Sequence, residues 1–102
     1  MRYLILLAAL LFAPIANAAE IINLKDDEAV RSNEGTLVIE VEADKPFSLL
    51  IDSQVVQPYH TPTVPVTVFT LYNVDRGTHL LQVVSEDKVN QIFIHMLRAH
   101  AN

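Results

Sequence analysis

The chain contains no cysteine in its 102 residues. That excludes a disulfide framework, a thiolate metal site, and a lipid carried on a cysteine. Basic clusters are missing as well: the seven Lys and Arg residues are scattered singly against twelve Asp and Glu, for a formal net charge of −5. Nucleic acids and anionic lipid surfaces are recognised by clustered cations, so neither is an expected partner. There is no internal repeat, no low-complexity segment and no helical segment long enough to cross between parallel strands. Nor is there an apolar run long enough to span a bilayer, which takes about 20 residues.

The one long apolar run, Leu4 to Ala13, follows Arg2 and ends at Pro14. Ala16-Asn17-Ala18 then places small residues at the two positions read by a signal peptidase. These are the three zones of a secretory signal peptide, which assigns residues 1–18 to export and residues 19–102 to a single exported domain. Removing the signal takes Arg2 and no acidic residue, which makes the product more acidic. Without a cleavage-site cysteine the product is expected to be soluble, with no membrane insertion. A domain this small has a marginal core, and here packing alone must hold it.

Apolar residues beyond the signal recur mostly every second position, the signature of strands. Thr36 to Ala43 alternates cleanly, and Phe47, Leu49 and Ile51 continue the pattern after the turn-like Asp44-Lys45-Pro46. Asp52-Ser53 reads as a tight connection into a short strand at Gln54 to Gln57. Val64 to Leu71, Thr78 to Ser85 and Val89 to Leu97 follow, the last two joined by a hairpin turn at Glu86-Asp87-Lys88. Glu20 to Leu24 reads as a first edge strand, and Asp26 to Arg31 as at most a helical turn. About seven short strands without helical crossovers predict an antiparallel two-sheet sandwich. The alternation points Leu37, Ile39, Val41, Phe47, Leu49, Ile51, Phe69, Leu71, Leu81, Val83, Ile92 and Ile94 inward. Val74 is expected to plug the corner before Asp75-Arg76-Gly77. Gly77, one of only two glycines, is expected to supply a positive φ or a close backbone approach there.

The most distinctive segment runs from Phe69 through Leu71, Val74, Arg76, Gly77 and His79 to Leu81. It resembles the Phe-x-Leu-x-x-Val-x-Arg-Gly-x-His-x-Leu pattern of small immunoglobulin-like modules in bacterial envelope proteins. Such modules are similar to the C-terminal domain of a bifunctional penicillin-binding protein and also end uncharacterised exported proteins. The likeness extends through Leu49-Leu50-Ile51-Asp52 and Ile92 to Arg98, covering about residues 28–98. Ser53 departs from it, since Gly is usual after that Asp. The resemblance implies an immunoglobulin-like (fibronectin type III-like) all-β sandwich that binds or spaces something in the envelope. It implies a periplasmic or more distant location, no enzyme activity, and no ligand residues to carry over.

Residues that could carry chemistry do not converge in the sequence. His79 occupies the corner where many sandwiches place a tyrosine whose polar tip bonds nearby backbone, so a structural role is expected. His60, His79, His95 and His100 follow no zinc spacing, so a histidine metal site is carried only as an alternative. Ser48, Ser53 and Ser85 lie in no strained nucleophile turn, and Glu40 and Glu42 share one strand face rather than facing across a cleft. No cofactor motif is present. Arg76 is expected to pair with Asp75 or to cap carbonyls of the corner. Pro58, Pro62 and Pro65 predict an extended loop over Gln57 to Pro65, with Tyr59 and His60 at its tip.

The outward faces are the sharper clue. If Leu49, Leu81, Val83, Ile92 and Ile94 point in, then Leu50, Leu80, Val84, Phe93 and Leu97 point out, on strands that the fold would make neighbours. An apolar patch on an exported domain marks an interaction site. The expectation is therefore a non-catalytic binding module whose sheet face, or Tyr59 loop, contacts a protein partner or a second copy. The alternatives are an accessory or chaperone-like protein offering a strand edge, and a metal-binding protein using histidines.

Overall fold

The computed structural model describes residues 19–86 and 88–98. The export signal, Asp87 of the hairpin turn and His100 lie outside the described residues. The alternation becomes eight strands: β1 Glu20–Ile21, β2 Glu28–Arg31, β3 Leu37–Glu42, β4 Phe47–Ile51, β5 Gln54–His60, β6 Val66–Leu71, β7 Gly77–Ser85 and β8 Lys88–Leu97. They form a three-stranded sheet in the order β1-β3-β6 and a five-stranded sheet in the order β2-β8-β7-β4-β5.

The two inner faces meet in one core. Leu37, Ile39 and Val41 from the small sheet and Phe47, Leu49, Leu81, Val83, Ile94 and Met96 from the large one are fully buried. Each such side chain contributes roughly 1.5–3 kcal/mol by leaving water. Ile51, Phe69, Leu71, Val74 and Ile92 are half-buried against this cluster. Alternation points Ile51, Phe69, Leu71 and Ile92 inward, and Val74 is the expected plug of the corner. The core also takes Met96 and two small residues, Ala19 and Ala43, which alternation did not single out. At one flank Phe47, His60 and Phe69 meet in a triangle of tilted and edge-to-face rings with centroids 5.4, 5.6 and 5.9 Å apart, closing the gap between β5 and β6.

Two expectations need correction. Residues 28–31 are a strand rather than a helical turn, and β2 pairs with β8 in parallel, so the sandwich is not wholly antiparallel. The reason is chain direction: β1 and β2 are two halves of one course, the first in the small sheet and the second in the large. The link from β2 to β8 is the rest of the domain, so no helical crossover is needed. The Asp26 carboxylate accepts the Phe93 N–H at 2.8 Å, and the Asp27 N–H reaches the Phe93 carbonyl at 2.7 Å, fixing the start of the pairing. Second, β5 runs on through Pro58, so Tyr59 and His60 belong to a strand and not to a loop tip. It accommodates the proline by two register shifts against β4, as an edge strand can. Gly77 supplies the expected positive φ, 127°, with nothing near its missing Cβ, while the close approach in this corner belongs to Gly35. A Cβ on Gly35 (φ 73°) would lie 2.6 Å from the Val74 carbonyl oxygen, and the Val74 N–H donates to the Gly35 carbonyl at 2.9 Å.

β1 ends after two residues, yet the edge of β3 beyond it is covered. The Asn23 carboxamide donates to the Val38 carbonyl and accepts the Glu40 N–H, both at 2.8 Å. A side-chain amide thus continues the ladder where the main chain has left it.

Candidate interaction face

The outer face of the large sheet is set by register. On β7 and β8, Leu80 stands opposite Phe93, Val84 opposite Val89, and Gln82 opposite Gln91. Leu50 on β4 opposes Gln82, and so lies diagonal to Leu80. Val55 on β5 opposes Leu50. Phe93, Leu80, Leu50 and Val55 therefore form an oblique apolar ridge across four strands. Its ends are its most open parts, Phe93 at 45% and Val55 at 57% exposure.

The five residues expected on this face are there, but not as one sheet of apolar surface. The Gln82 and Gln91 amides bond each other at 3.0 Å and separate the ridge from Val84 and Val89. On the other side His95 bonds Thr78 Oγ1 at 2.9 Å and Asp27 at 2.8 Å. That polar rung isolates Leu97, which sits beside Arg31. Tyr59 joins the face by a route the sequence did not suggest. His60 turns inward to Phe47, so alternation sends Tyr59 outward, 72% exposed, and its N–H donates to the outward Ser48 hydroxyl at 2.9 Å. Val55 and Val89 also belong to the face. Both lie in stretches that read as strands, and only pairing register places them there. The outer face of the small sheet carries exposed Val38 and Val68, set diagonally, with Glu40 opposite Val68 and Thr70 opposite Val38.

The corner that carries the sequence resemblance is held by His79. Its Nδ1 lies 2.6 Å from Asp52 Oδ2 and its Nε2 lies 2.6 Å from the Asp75 carbonyl. Both partners are acceptors, so only the doubly protonated imidazolium donates to both. Burial pulls the imidazole pKa down, but the Asp52 bond, the Asp75 carbonyl and the charges of Asp52 and Asp75 outweigh it, and the pKa is raised. Asp52 is held below the ordinary carboxylate value, chiefly by the His79 bond and then by the Leu80 N–H, against some burial. Asp52 and Ser53 both take positive φ, 51° and 70°. This is the backbone of a two-residue hairpin turn, in which Gly is easiest.

Arg76, exposed, makes no ion pair among the described residues. With Arg98, whose guanidinium donates to the Asn33 carbonyl at 2.8 Å, it lines an open polar groove of about 420 Å³ beneath the β2–β3 and β6–β7 loops. Val74 packs on the core from the same loop. The described histidines serve three separate places: an aromatic triangle, the corner, and the outer rung. No group of three or more metal-ligating side chains forms among the described residues.

Two packed sheets of this order, held by an alternating core, define an immunoglobulin-like, fibronectin type III-like sandwich. The structure is similar to a fibronectin(III)-like module of Clostridium thermocellum CbhA, with a TM-score of 0.61 and 18% identity over 81% of this chain and 100% of that one. That likeness is one of fold. No family model matches the chain, and no curated protein matches it significantly.

Proposed function

We propose that this chain is an exported, non-catalytic interaction module that contacts a protein partner through the outer face of its large sheet. The observation that carries this reading is the Phe93–Leu80–Leu50–Val55 ridge, flanked by exposed Tyr59. Aromatic and aliphatic side chains set among hydrogen-bonded polar groups are the usual make-up of a partner-binding surface. The sandwich holds them on strands, so they are ordered before binding and little conformational entropy is lost. The export signal read in residues 1–18 and the envelope resemblance of the corner support a periplasmic setting. The face is polar enough to stay soluble when free, which suits a partner that comes and goes.

The test is a photo-crosslinking amino acid placed in turn at Phe93, Val55 and Tyr59, with Glu42 on the opposite sheet as control, in cells exporting the chain. The expected outcome is one discrete adduct shared by the first three positions and missing from the fourth. Equal labelling from Glu42, or no adduct from any position, would sink the reading.

A further inference from the structure

A sandwich of two open sheets has four edges, and three of them here are closed to strand addition. β1 is two residues long, and Asn23 covers the β3 backbone beside it. β2 is four residues long, begins and ends on charged Glu28 and Arg31, and follows Asp26 and Asp27. β5 carries two register shifts and Pro58, which has no N–H to offer. Short length, charge, bulges and proline are the known means of blunting an edge.

β6 has none of them. Val66–Leu71 pairs with β3 in unbroken register over six residues. No Asp, Glu, Lys or Arg occurs from Ser53 to Val74. The direction of its free groups follows from the ladder. The Ala43 N–H donates to the Pro65 carbonyl at 3.0 Å, so Ala43 and Pro65 occupy a hydrogen-bonded position of the antiparallel pair. Such positions alternate, which commits the backbones of Thr67, Phe69 and Leu71 to β3. The other side of β3 agrees, since Glu40 bonds Ile22 and Asn23. Val66, Val68 and Thr70 therefore turn their N–H and C=O groups to the open edge.

We infer that β6 pairs with β6 of a second copy of this chain, antiparallel about a two-fold axis at Val68. This register sets Val68 opposite Val68 and Val66 opposite Thr70, using every outward backbone group of both strands. Faces are preserved: Val66, Val68 and Thr70 share the outer side of both copies. Charge directs a second copy to this edge. The chain is strongly acidic, so two copies repel over most of their surface, and β6 is where they meet without charge. The nearest acids, Glu40 and Glu42, lie one strand in, on β3. Across the joined sheet the two β3 strands are three spacings apart, about 14 Å, beyond the Debye length of about 8 Å at physiological salt. A two-fold pairing consumes the one open edge among the described residues of each copy, so assembly stops at the dimer. A six-residue edge buries less than a standard interface, so the dimer forms reversibly with concentration.

This inference does not rest on the partner face. Sedimentation of the purified protein across a concentration series, with amide exchange read by NMR, tests it independently of that face. A monomer–dimer equilibrium is expected, with exchange at Val66, Val68 and Thr70 slowing as concentration rises. Val68→Pro removes only an N–H that β3 does not use, and Val68→Lys places two cations at the axis. Both are expected to weaken association at least tenfold, while Phe93→Asp leaves it unchanged. If Val68→Pro fails to fold, shown by loss of its circular dichroism, Val68→Lys alone decides. A protein that stays monomeric with those amides unprotected overturns the proposal. So does a dimer broken by Phe93→Asp and indifferent to Val68, or a β6 edge protected only by another protein's strand.

Discussion

At the scale of single residues, His79 and Asp52 set how stability depends on pH. The raised imidazole contributes stability that is complete below the unfolded value of about 6.5 and is lost as pH rises through the folded one. The lowered carboxylate contributes stability that is complete above about 3.9 and is lost as pH falls through its folded value. The latch is therefore strongest between those limits. Because the Asp52 side chain is half exposed, the bond is worth about 1 kcal/mol rather than the buried-pair figure. Asp52→Asn is expected to lower Tm within that window by about 4–8 °C for a domain of this size and to flatten the profile outside it. Thermal melts at a series of pH values check this, and identical profiles for the two proteins would refute it. The sequence pointed to a structural His79 but could not show its partner. Asp52 is remote in the chain, and only the β4–β7 register brings the two together. Ser53 shows the reverse: the departure from Gly visible in the sequence marks a residue held at φ 70°.

At the scale of elements, alternation was enough wherever a strand had one dry face. β3, β4, β7 and β8 read directly from Leu37-x-Ile39-x-Val41 and its counterparts, because burial on one side writes a period of two into the residues. β2 was illegible for a physical reason. Four residues hold only two periods, and their partner β8 lies at the other end of the chain, so pairing and not pattern makes the strand. β5 was legible as far as Gln57 and masked beyond it by Pro58, which reads as loop but is tolerated where the missing donor would face solvent. Leu50, Leu80 and Phe93 of the outer ridge were legible, while Val55 and the shape of the ridge were not, since both depend on register. The anchoring of β2 gives a test at this scale. Asp26→Ala removes the acceptor for the Phe93 N–H, a bond worth about 1 kcal/mol. Amide exchange in β2 is expected to quicken roughly fivefold while Leu81 and Val83 in β7 keep their protection. Uniform acceleration across the domain would instead mean that β2 is part of the global unfolding unit.

At the scale of the whole molecule, one small core without crosslinks carries the stability. Domains of this kind are held by about 5–15 kcal/mol, and Leu49 lies at the centre with no exposure. Leu49→Ala is expected to cost about 2–5 kcal/mol, lowering Tm by tens of degrees at about 4–8 °C per kcal/mol. A shift of only a few degrees in calorimetry would show that the core re-collapses and is less tightly determined than its packing suggests. The resemblance in the corner and the fold agree at this scale on an immunoglobulin-like sandwich, and that agreement is one of fold alone.

The Asn23 carboxamide ties this architecture to time. Deamidation, a slow hydrolysis needing no enzyme, would turn its donating nitrogen into a carboxylate oxygen facing the Val38 carbonyl. The Glu40 N–H could still be satisfied, but the carbonyl could not. A negative charge would sit against the strand it now covers. Each such event would open an edge of β3 that the fold otherwise keeps closed.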